Sequence, residues 1–463
     1  MFTCAKECID IYFSYPRSTP AAADVCPDSL PFFLLEDMRA LSWLFGLSAV
    51  SASQQLLPGP ASQPLAPSQD PWYSAPFGFE AATPGTILRV RQAPGNLTTV
   101  VGNASSAYNI LYRTTDTRYK PSWAVTTLFI PPTFYTSPSG NKALISYQFA
   151  QDSAAIDSSP SYGLYYDLAQ PVPSLGVPAS TDLVGSLLSE GWLVNTPDYE
   201  GPTAAFGASV QAGHATLDAL RAVSNLAELS GLGKIAIGIW GYSGGSIATE
   251  AATELQVQYA PELKISGAVL GGLVADFSAD FDLFNGSAIA GDLVSVILGV
   301  TAQYPEAEAY VKSRLVNSTA AEFLGARNMT LGQATKFFSM KDIYAYFING
   351  AIDLQAAVLR KVYNIEMKLG YHGVPAMPVF VYKAIGDEYC PVEETDALVN
   401  KFCGVGADIT YQRNTVGGHV AEIINGQPRA IDWLRGIFNE TYTPNAFGCS
   451  IENVTVNLTS LTT

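Results

Sequence analysis

The stretch Ile235–Gly245 reads IAIGIWGYSGG, and it decides the fold. Its first six residues are an apolar run typical of a buried strand, and the following SIATEAATELQVQY is typical of a helix. Residues 241–245 match G-x-S-x-G, which predicts a sharp strand-to-helix turn with Ser243 at its tip. Glycines permit such a turn because they have no Cβ atom to clash. The pattern predicts an exposed nucleophile at a helix N-terminus; the alternative is an ordinary glycine-rich turn.

Other apolar segments on both sides of this stretch predict further strands, and several of them are apolar on both faces, as buried parallel strands are. Segments with apolar residues at helical spacing lie between them. This alternation predicts an α/β fold with a doubly wound, mostly parallel sheet, built from residues 76–276 and 371–450. The predicted strands are Ala143–Gln151, Trp192–Thr196, Ile235–Trp240, Ile265–Leu270, Met377–Ala384 and Ile409–Arg413. The predicted helices are Ala204–Leu229, Ser246–Tyr259, Glu393–Cys403 and Val420–Asn439.

Residues 277–370 interrupt the alternation because they contain no convincing strand. They hold apolar helical pieces instead, such as those at 292–304 and 336–347. This segment follows a predicted strand of the sheet. We therefore expect an inserted helical cap, or lid, over the C-terminal edge of the sheet.

A serine nucleophile needs a base, which is usually histidine, and the chain has three histidines. His214 lies within a predicted helix, so a surface or packing role is expected. His372 precedes a predicted strand and is remote from that strand's C-terminal edge. His419 follows the last predicted strand in TVGGHVAEI, where two glycines let the loop bend. His419 is therefore the predicted base, against the alternative of an exposed loop histidine.

The acid of a Ser–acid–His order should follow a strand between Ser243 and His419. The segment MPVFVYKAIGDEYCP offers Asp387 and Glu388 at that place, and spacing alone does not separate them. The acid accepts the second imidazole N–H and stabilises the imidazolium. Glu422, one turn into the helix after His419, is expected to be a helix N-terminal charge or a group behind the site.

The segment 38–52 reads MRALSWLFGLSAVSA and is typical of a secretory signal peptide. A short buried helix is the alternative, but the Pro/Ser/Gln-rich stretch 53–75 that follows is typical of a linker. A signal peptide must lead the nascent chain, so we expect residues 1–37 to be a gene-model extension or disordered. Residues 451–463 are expected to be a C-terminal tail. No apolar run after residue 52 has the length of about 20 residues that a membrane-spanning helix needs.

Asn-x-Ser/Thr sequons support secretion, since such sites are glycosylated on surfaces of secreted proteins. A single sequon is weak evidence, but eight in a chain behind a signal-like segment favour a secreted glycoprotein. The eight are Asn96, Asn103, Asn285, Asn317, Asn328, Asn439, Asn453 and Asn457.

Composition excludes some classes of partner. The net charge of −16 opposes nucleic-acid binding, and no Lys/Arg cluster offsets it. The acidic balance fits a soluble monomer outside the cell. Three scattered histidines predict no metal cluster, and no cofactor is expected. Without residues 1–37 three cysteines remain, Cys390, Cys403 and Cys449, which predict one disulfide and one free thiol.

The chain resembles the fungal secretory lipase family, the group of yeast lipase A, over roughly residues 75–450. The resemblance lies in PDYEG (197–201), GYSGGS (241–246), YAPEL (259–263), GDEYCP (386–391) and GGHVAE (417–422). It implies an α/β-hydrolase fold with a helical lid and a triad of Ser243, Asp387 and His419, favouring Asp387 over Glu388.

The resemblance also implies an oxyanion hole made by Asp152, in SYQFAQDSAA, and the N–H of Gly244. An ionised Asp152 would repel an oxyanion, so its backbone N–H or a protonated carboxyl must donate. The alternative is a turn-capping residue. A family disulfide is expected at Cys403–Cys449. A second one looks lost, because Ser158 and Ser159 stand where relatives carry a cysteine.

The sequence and the resemblance together predict a secreted serine ester hydrolase acting through an acyl-enzyme, with triacylglycerols as first substrate and transient contact with a lipid–water interface. The family also includes enzymes that deacetylate fungal secondary metabolites, so a carboxylesterase or deacetylase is the alternative. An inactive binding module on the same fold is an alternative of another class.

Overall fold

A computed structural model describes residues 63–165, 178–446 and 448–458, with side chains in the segment 178–181 excepted. The expected extension 1–37, signal peptide 38–52 and first ten residues of the linker lie outside the described residues. In the described part of the chain, no helix is both long and apolar enough to cross a membrane.

A single ten-stranded sheet runs through the molecule in the order β1-β2-β3-β5-β4-β6-β7-β8-β9-β10. The pairs β1–β2, β2–β3 and β3–β5 are antiparallel. All other neighbouring pairs, from β5–β4 to β9–β10, are parallel. The predicted α/β fold with a mostly parallel sheet is therefore confirmed. The strands are β1 Ile87–Gln92, β2 Ser106–Thr115, β3 Pro121–Ile130, β4 Lys142–Gln148, β5 Leu193–Pro197, β6 Ile235–Tyr242, β7 Ile265–Gly271, β8 Val379–Ala384, β9 Ile409–Asn414 and β10 Cys449–Val454.

All six predicted strands are present, with ends shifted by up to three residues. Strands β1, β2, β3 and β10 are not among the predicted ones. The first three form an antiparallel meander at one edge, where strand β2 mixes polar and apolar residues although most of it is buried. Its polar side chains bond across the sheet: Asn109 Nδ2 donates to Thr127 Oγ1 at 3.1 Å. Satisfied polar groups of this kind blur the apolar pattern that marks a buried strand.

Helices cover the sheet. The long helices α4 and α5 pack on each other, while α3 and α14 join an apolar cluster that includes Ile145, Trp240 and Phe380 of the strands. The α-helices are α1 Leu97–Val101, α2 Pro160–Gly163, α3 Pro178–Ser189, α4 Ser209–Leu229, α5 Gly244–Tyr259, α6 Phe281–Phe284, α7 Ala290–Thr301, α8 Pro305–Arg314, α9 Ala320–Leu324, α10 Leu331–Phe338, α11 Ala351–Leu354, α12 Ala357–Glu366, α13 Val392–Cys403 and α14 His419–Phe438. Short 3₁₀ turns lie at Phe79–Ala81, Ile156–Ser158, Gly201–Thr203, Gly325–Asn328 and Ile343–Tyr346.

Residues 277–370, called the insertion below, are all described and contain helices α6 to α12 but no named strand. The predicted helical piece 336–347 is wrong. Helix α10 ends at Phe338, because Ser339 is extended and Met340 takes a left-handed φ of 61°. Asp342 then accepts a hydrogen bond from the N–H of Tyr344 and starts a separate 3₁₀ turn.

Two expected boundaries are wrong at the ends of the domain. Residues 449–454 form strand β10 beside β9, so no free tail begins at residue 451. Residues 63–75 of the expected linker pack on the domain, since Tyr73 is buried and Asp70 forms an ion pair with Arg91. Aromatic residues in a proline-rich stretch can thus anchor it.

The expected disulfide between Cys403 and Cys449 is present and ties the end of α13 to β10. Cys390 is buried and forms no disulfide within the described part of the chain. Ser158 and Ser159 make hydrogen bonds within their own loop, to Ser153 Oγ and to the carbonyl of Ile156.

Candidate active site

The predicted site residues follow the carboxyl ends of four parallel strands. Asp152 follows β4, Ser243 follows β6, Asp387 follows β8 and His419 follows β9. Carboxyl ends of parallel strands meet at one edge of a sheet, and ligand sites form there in open α/β sheets. The fold therefore brings together residues that lie up to 267 positions apart in the chain.

The turn at Ser243 is as sharp as its motif predicts. Ser243 has φ 54° and ψ −128°, a strained conformation for a residue with a side chain, and it precedes the first residue of α5. A Cβ atom on Gly245 would lie 2.0 Å from the carbonyl oxygen of Gln148. The turn is thus possible only because glycine lets helix α5 approach β4 closely.

A chain of hydrogen bonds links the hydroxyl, the imidazole and a carboxylate. Ser243 Oγ lies 2.8 Å from His419 Nε2, and His419 Nδ1 lies 2.8 Å from Asp387 Oδ2. The hydroxyl of Tyr242 donates to the carbonyl of His419 at 2.6 Å and holds this part of the loop. With Nδ1–H donated to the carboxylate, Nε2 is left to accept the serine proton.

Asp387 is held by groups on all sides. The backbone N–H groups of Tyr389 and Cys390 donate to Oδ1 at 3.0 and 2.9 Å. The ammonium of Lys383, a fully buried side chain, lies 3.1 Å from Oδ2 and donates to the carbonyl of Leu273 at 2.8 Å. Burial alone would raise the pKa of Asp387, but the hydrogen bond from His419 and the charges of His419 and Lys383 lower it. Asp387 is therefore ionised and available to stabilise an imidazolium.

The neighbouring carboxylates have different contacts. Glu388 is exposed, and its Oε2 accepts the backbone N–H of His419 at 2.9 Å rather than a ring nitrogen. Glu422 is buried and accepts from Asn414 Nδ2 at 2.6 Å and from Arg429. Asp387 is thus the carboxylate bonded to the imidazole, and the other two brace the loop and the helix that carry His419.

The remaining histidines lie away from Ser243. His214 is buried in α4 with its ring 4.0 Å from that of Tyr259, and burial lowers its pKa to about 4. His372 Nε2 lies 2.7 Å from the carbonyl of Ile365, at the amino end of β8. Both positions agree with the packing and strand-entrance placements expected from the sequence.

Asp152 lies against Gly244. A Cβ atom on Gly244 would lie 1.8 Å from Asp152 Oδ1, so the carboxyl touches the backbone that follows Ser243. Asp152 is buried and has φ 47°, and its Oδ1 has no hydrogen-bond partner among the described residues. Burial raises the pKa of Asp152 to about 7. A protonated carboxyl at this place is a donor next to the backbone N–H of Gly244.

A cavity of about 580 Å³ opens on Ser243 and His419. The core contributes mostly apolar and aromatic side chains, including Tyr147, Val420 and Ile423. The insertion contributes the rest of the wall, with polar groups among them at Asp292, Thr335, Lys336 and Ser339. A cavity of this size holds a small organic molecule. The insertion therefore forms part of the substrate-binding wall.

Asp387, Cys390 and His419 offer possible metal-ligand atoms within 4.8 Å of one another. The carboxylate of Asp387 is already hydrogen-bonded to the imidazole of His419, and it also forms an ion pair with the ammonium of Lys383. A cation there would face that positive charge. The arrangement suits a proton relay better than a metal centre.

Seven of the eight sequon asparagines are exposed. Asn285 is the exception: it is half-buried, donates to Asp342 Oδ1 at 3.0 Å and accepts the N–H of Ile343 at 2.6 Å. Its amide already holds the chain between α10 and the 3₁₀ turn of the insertion. The exposed seven are Asn96, Asn103, Asn317, Asn328, Asn439, Asn453 and Asn457.

Residues 168–445 match the model of the secretory lipase family. The chain belongs to the secretory lipase family. It is 53% identical over 425 residues to a probable trichothecene esterase from Stachybotrys chartarum, covering 91% of this chain and 88% of that protein. It is 44% identical over 430 residues to a trichothecene C-3 esterase from Fusarium sporotrichioides, covering 90% and 93%.

Among solved structures, this secretory lipase family chain is similar to Candida antarctica lipase A in its closed state. The TM-score is 0.77 and the identity 27%, over 84% of this chain and 90% of that one. The expected family and the α/β-hydrolase fold are confirmed. As a member of this family of lipases and esterases, the protein is a carboxylic ester hydrolase with ester substrates.

Two further residues of the site, Lys383 and Asp292, are not among the predicted ones. Lys383 was readable in MPVFVYKA as a lone lysine at the end of an apolar strand, a position where an unpaired charge is costly. Asp292 gave no signal, because nothing in the sequence tells which turn of the insertion faces Ser243.

Proposed function

We propose that this protein is a secreted serine esterase that works by two-step acyl transfer. Ser243 attacks the ester carbonyl while His419 takes its proton, and Asp387 stabilises the imidazolium. The N–H of Gly244 and the protonated carboxyl of Asp152 stabilise the oxyanion. His419 returns the proton to the leaving alcohol and then activates water to release the acid. The 2.8 Å contact between Ser243 Oγ and His419 Nε2, inside a cavity, is the main support.

For the substrate, we propose an acetyl ester of an oxygenated ring alcohol of the trichothecene kind, a fungal secondary metabolite. The two relatives with 53% and 44% identity are named for trichothecene esters, whereas the lipase of known structure is 27% identical. The polar side chains in the cavity wall also suit an oxygenated molecule better than three long hydrocarbon chains.

A triacylglycerol lipase is the second candidate. The similarity to Candida antarctica lipase A over most of both chains favours it, as does an insertion over the cavity that could meet a lipid–water interface. The match to the secretory lipase family and the signal-like segment 38–52 support secretion, and glycans would sit on the exposed sequons. We infer a monomer that does not bind nucleic acid, because the net charge is −16.

The first test compares the wild type with Ser243→Ala. The wild type should be labelled by a fluorophosphonate and should hydrolyse p-nitrophenyl acetate, whereas the variant should not be labelled and should lose kcat by about 10⁴-fold or more. Labelling separates an enzyme from an inactive binding module on the same fold. Ester hydrolysis at the wild-type rate by Ser243→Ala would overturn the assignment.

A substrate profile separates the two candidates. We expect kcat/KM for a C-3-acetylated trichothecene to be at least about tenfold higher than for emulsified tributyrin or triolein. A few contacts between the pocket and the substrate, made by one ester and not by the other, are enough to produce such a difference. A higher rate on emulsified triolein, rising sharply once an interface forms, would instead favour the lipase.

A further inference from the structure

One acidic side chain faces the active-site cavity without a part in the acyl transfer described above. Asp292 of helix α7 lines the cavity that contains Ser243 and His419. Asp292 also lines a second, smaller pocket, together with Asp152, Ser243 and Gly244. The insertion therefore places a second carboxyl beside the reacting centre.

The position of Asp292 is set by close helix packing. A Cβ atom on Gly291 would lie 2.4 Å from the backbone carbonyl of Ala334, so α7 and α10 touch at this point. Thr330 and Gln333 form a capping box that fixes the start of α10. Thr335, on the same helix, donates to Asp292 Oδ1 at 3.2 Å. The carboxyl is thus held rather than free to turn into solvent.

The chemistry of this carboxyl suits an oxygen-bearing ligand. Burial, followed by the charge of nearby Asp152, raises the pKa of Asp292 well above its ordinary value. A neutral carboxyl both donates and accepts, so it pairs with hydroxyl, ether or carbonyl oxygens. A hydrocarbon packed against it would add no hydrogen bond to the one from Thr335, which is unfavourable for a carboxyl shielded from water.

We propose that Asp292 is a specificity-determining residue that hydrogen-bonds an oxygen substituent on the alcohol part of the ester. This inference rests on the proposed esterase function. An acetyl group is too small to fill a cavity of about 580 Å³, so the alcohol part occupies most of it. Asp292 thereby selects acetates of oxygenated ring alcohols over acetates of hydrocarbon alcohols.

The test compares Asp292→Leu and Asp292→Asn with the wild type on three acetates: a C-3-acetylated trichothecene, bornyl acetate and p-nitrophenyl acetate. Bornyl acetate has a hydrocarbon ring alcohol, and p-nitrophenyl acetate reports the acyl transfer itself. Glu306→Gln is the matched control, because Glu306 lies in the first turn of α8, is exposed and does not line the cavity.

We expect Asp292→Leu to lower kcat/KM on the trichothecene by about 10- to 100-fold, mainly through KM. The same variant should lose much less of its rate on p-nitrophenyl acetate than on the trichothecene, and it should hydrolyse bornyl acetate faster than the wild type. Asp292→Asn keeps a donor and an acceptor, so its loss on the trichothecene should be smaller, and Glu306→Gln should match the wild type.

Two results overturn the inference while leaving the proposed function in place. One is an equal loss on all three acetates by both Asp292 variants, which would show a structural or oxyanion role. The other is an unchanged ratio of trichothecene to bornyl acetate hydrolysis. A wild type that does not cleave the trichothecene ester, but cleaves p-nitrophenyl acetate, would overturn the proposed substrate and the inference with it.

Discussion

Lys383 shows how one residue sets the state of the site. It is fully buried, and its ammonium lies on the same Asp387 oxygen that receives His419 Nδ1–H. A buried lysine is costly unless it is paired, and here it is paired with a carboxylate and a backbone carbonyl. Its charge helps to lower the pKa of Asp387. Lys383 thus acts as a positioning residue that works through Asp387 rather than on the substrate.

Replacing Lys383 by methionine should therefore change the pH profile. The pKa of Asp387 should rise without the ammonium, so the acidic limb of kcat against pH should move to higher pH, with KM little changed. The loss of the buried ion pair should also lower the free energy of unfolding by about 3 kcal/mol. Measurements of kcat and KM from pH 4 to 8, together with denaturant unfolding, check this.

Lys361→Met is the control, because Lys361 is an exposed residue of α12 and carries the same change in charge. An equal loss of kcat at every pH, with an unmoved acidic limb, would show that Lys383 is only structural.

At the scale of elements, strand β10 depends on a covalent link. It is an edge strand with mostly exposed residues, paired with β9 alone among the described strands, and the disulfide Cys403–Cys449 joins it to α13. Beyond the strand, the N–H of Val456 donates to Asn414 Oδ1 at 3.0 Å. An edge strand with so little buried apolar surface gains little from packing. The disulfide is therefore expected to keep it in place.

The Cys403→Ser, Cys449→Ser double variant should lower the free energy of unfolding by up to about 4 kcal/mol, the chain-entropy value for a cross-link across 46 residues. Segment 445–458 should become the first site of limited proteolysis. Ester hydrolysis should stay within about threefold, since the disulfide contacts none of the site residues. The wild type treated with dithiothreitol, which reduces the disulfide, serves as the comparison. If both the reduced wild type and the variant gave the same proteolysis pattern as the untreated wild type, the prediction would be contradicted.

At the scale of the whole molecule, the protein carries an excess of acids and buries several of them. Burial is the main reason why the pKa values of three of these acids are raised. The pKa is about 7 for Asp198, about 6 for Asp218 and about 8 for Asp280. Between the ordinary carboxyl pKa of about 4 and these values, the folded protein binds more protons than the unfolded chain. Stability should therefore fall as pH rises through this range, and the net charge of −16 at pH 7 adds repulsion in the same direction.

We expect the melting temperature to be several degrees higher near pH 5 than near pH 8. Thermal unfolding at constant ionic strength across this range tests it. Asp198→Asn keeps the shape of the neutral acid but cannot lose a proton. The variant's melting temperature should therefore fall less steeply than that of the wild type between pH 5 and 7. A melting temperature that rises steadily from pH 5 to pH 8 would contradict the prediction.

Much of this architecture could be predicted from residues whose type is required by the local backbone conformation. IAIGIWGYSGG specifies strand, turn and helix because the apolar run, the serine and the glycines each have a local physical requirement, as the 2.0 Å approach at Gly245 illustrates. The few histidines made His419 identifiable by its place after a strand. The antiparallel strands β1 to β3 could not be predicted, because polar residues such as Asn109 find their hydrogen-bond partners only across the folded sheet.

By itself, the sequence determined the α/β fold, the helical character of the insertion, the nucleophile candidate and the family, since these depend on local patterns and ordered motifs. Only the tertiary structure decided which of two adjacent carboxylates meets the imidazole, why a lysine is buried behind it, and that Asp292 faces the cavity. Each of these depends on atoms brought within about 3 Å from different parts of the chain, and no one-dimensional pattern encodes such distances.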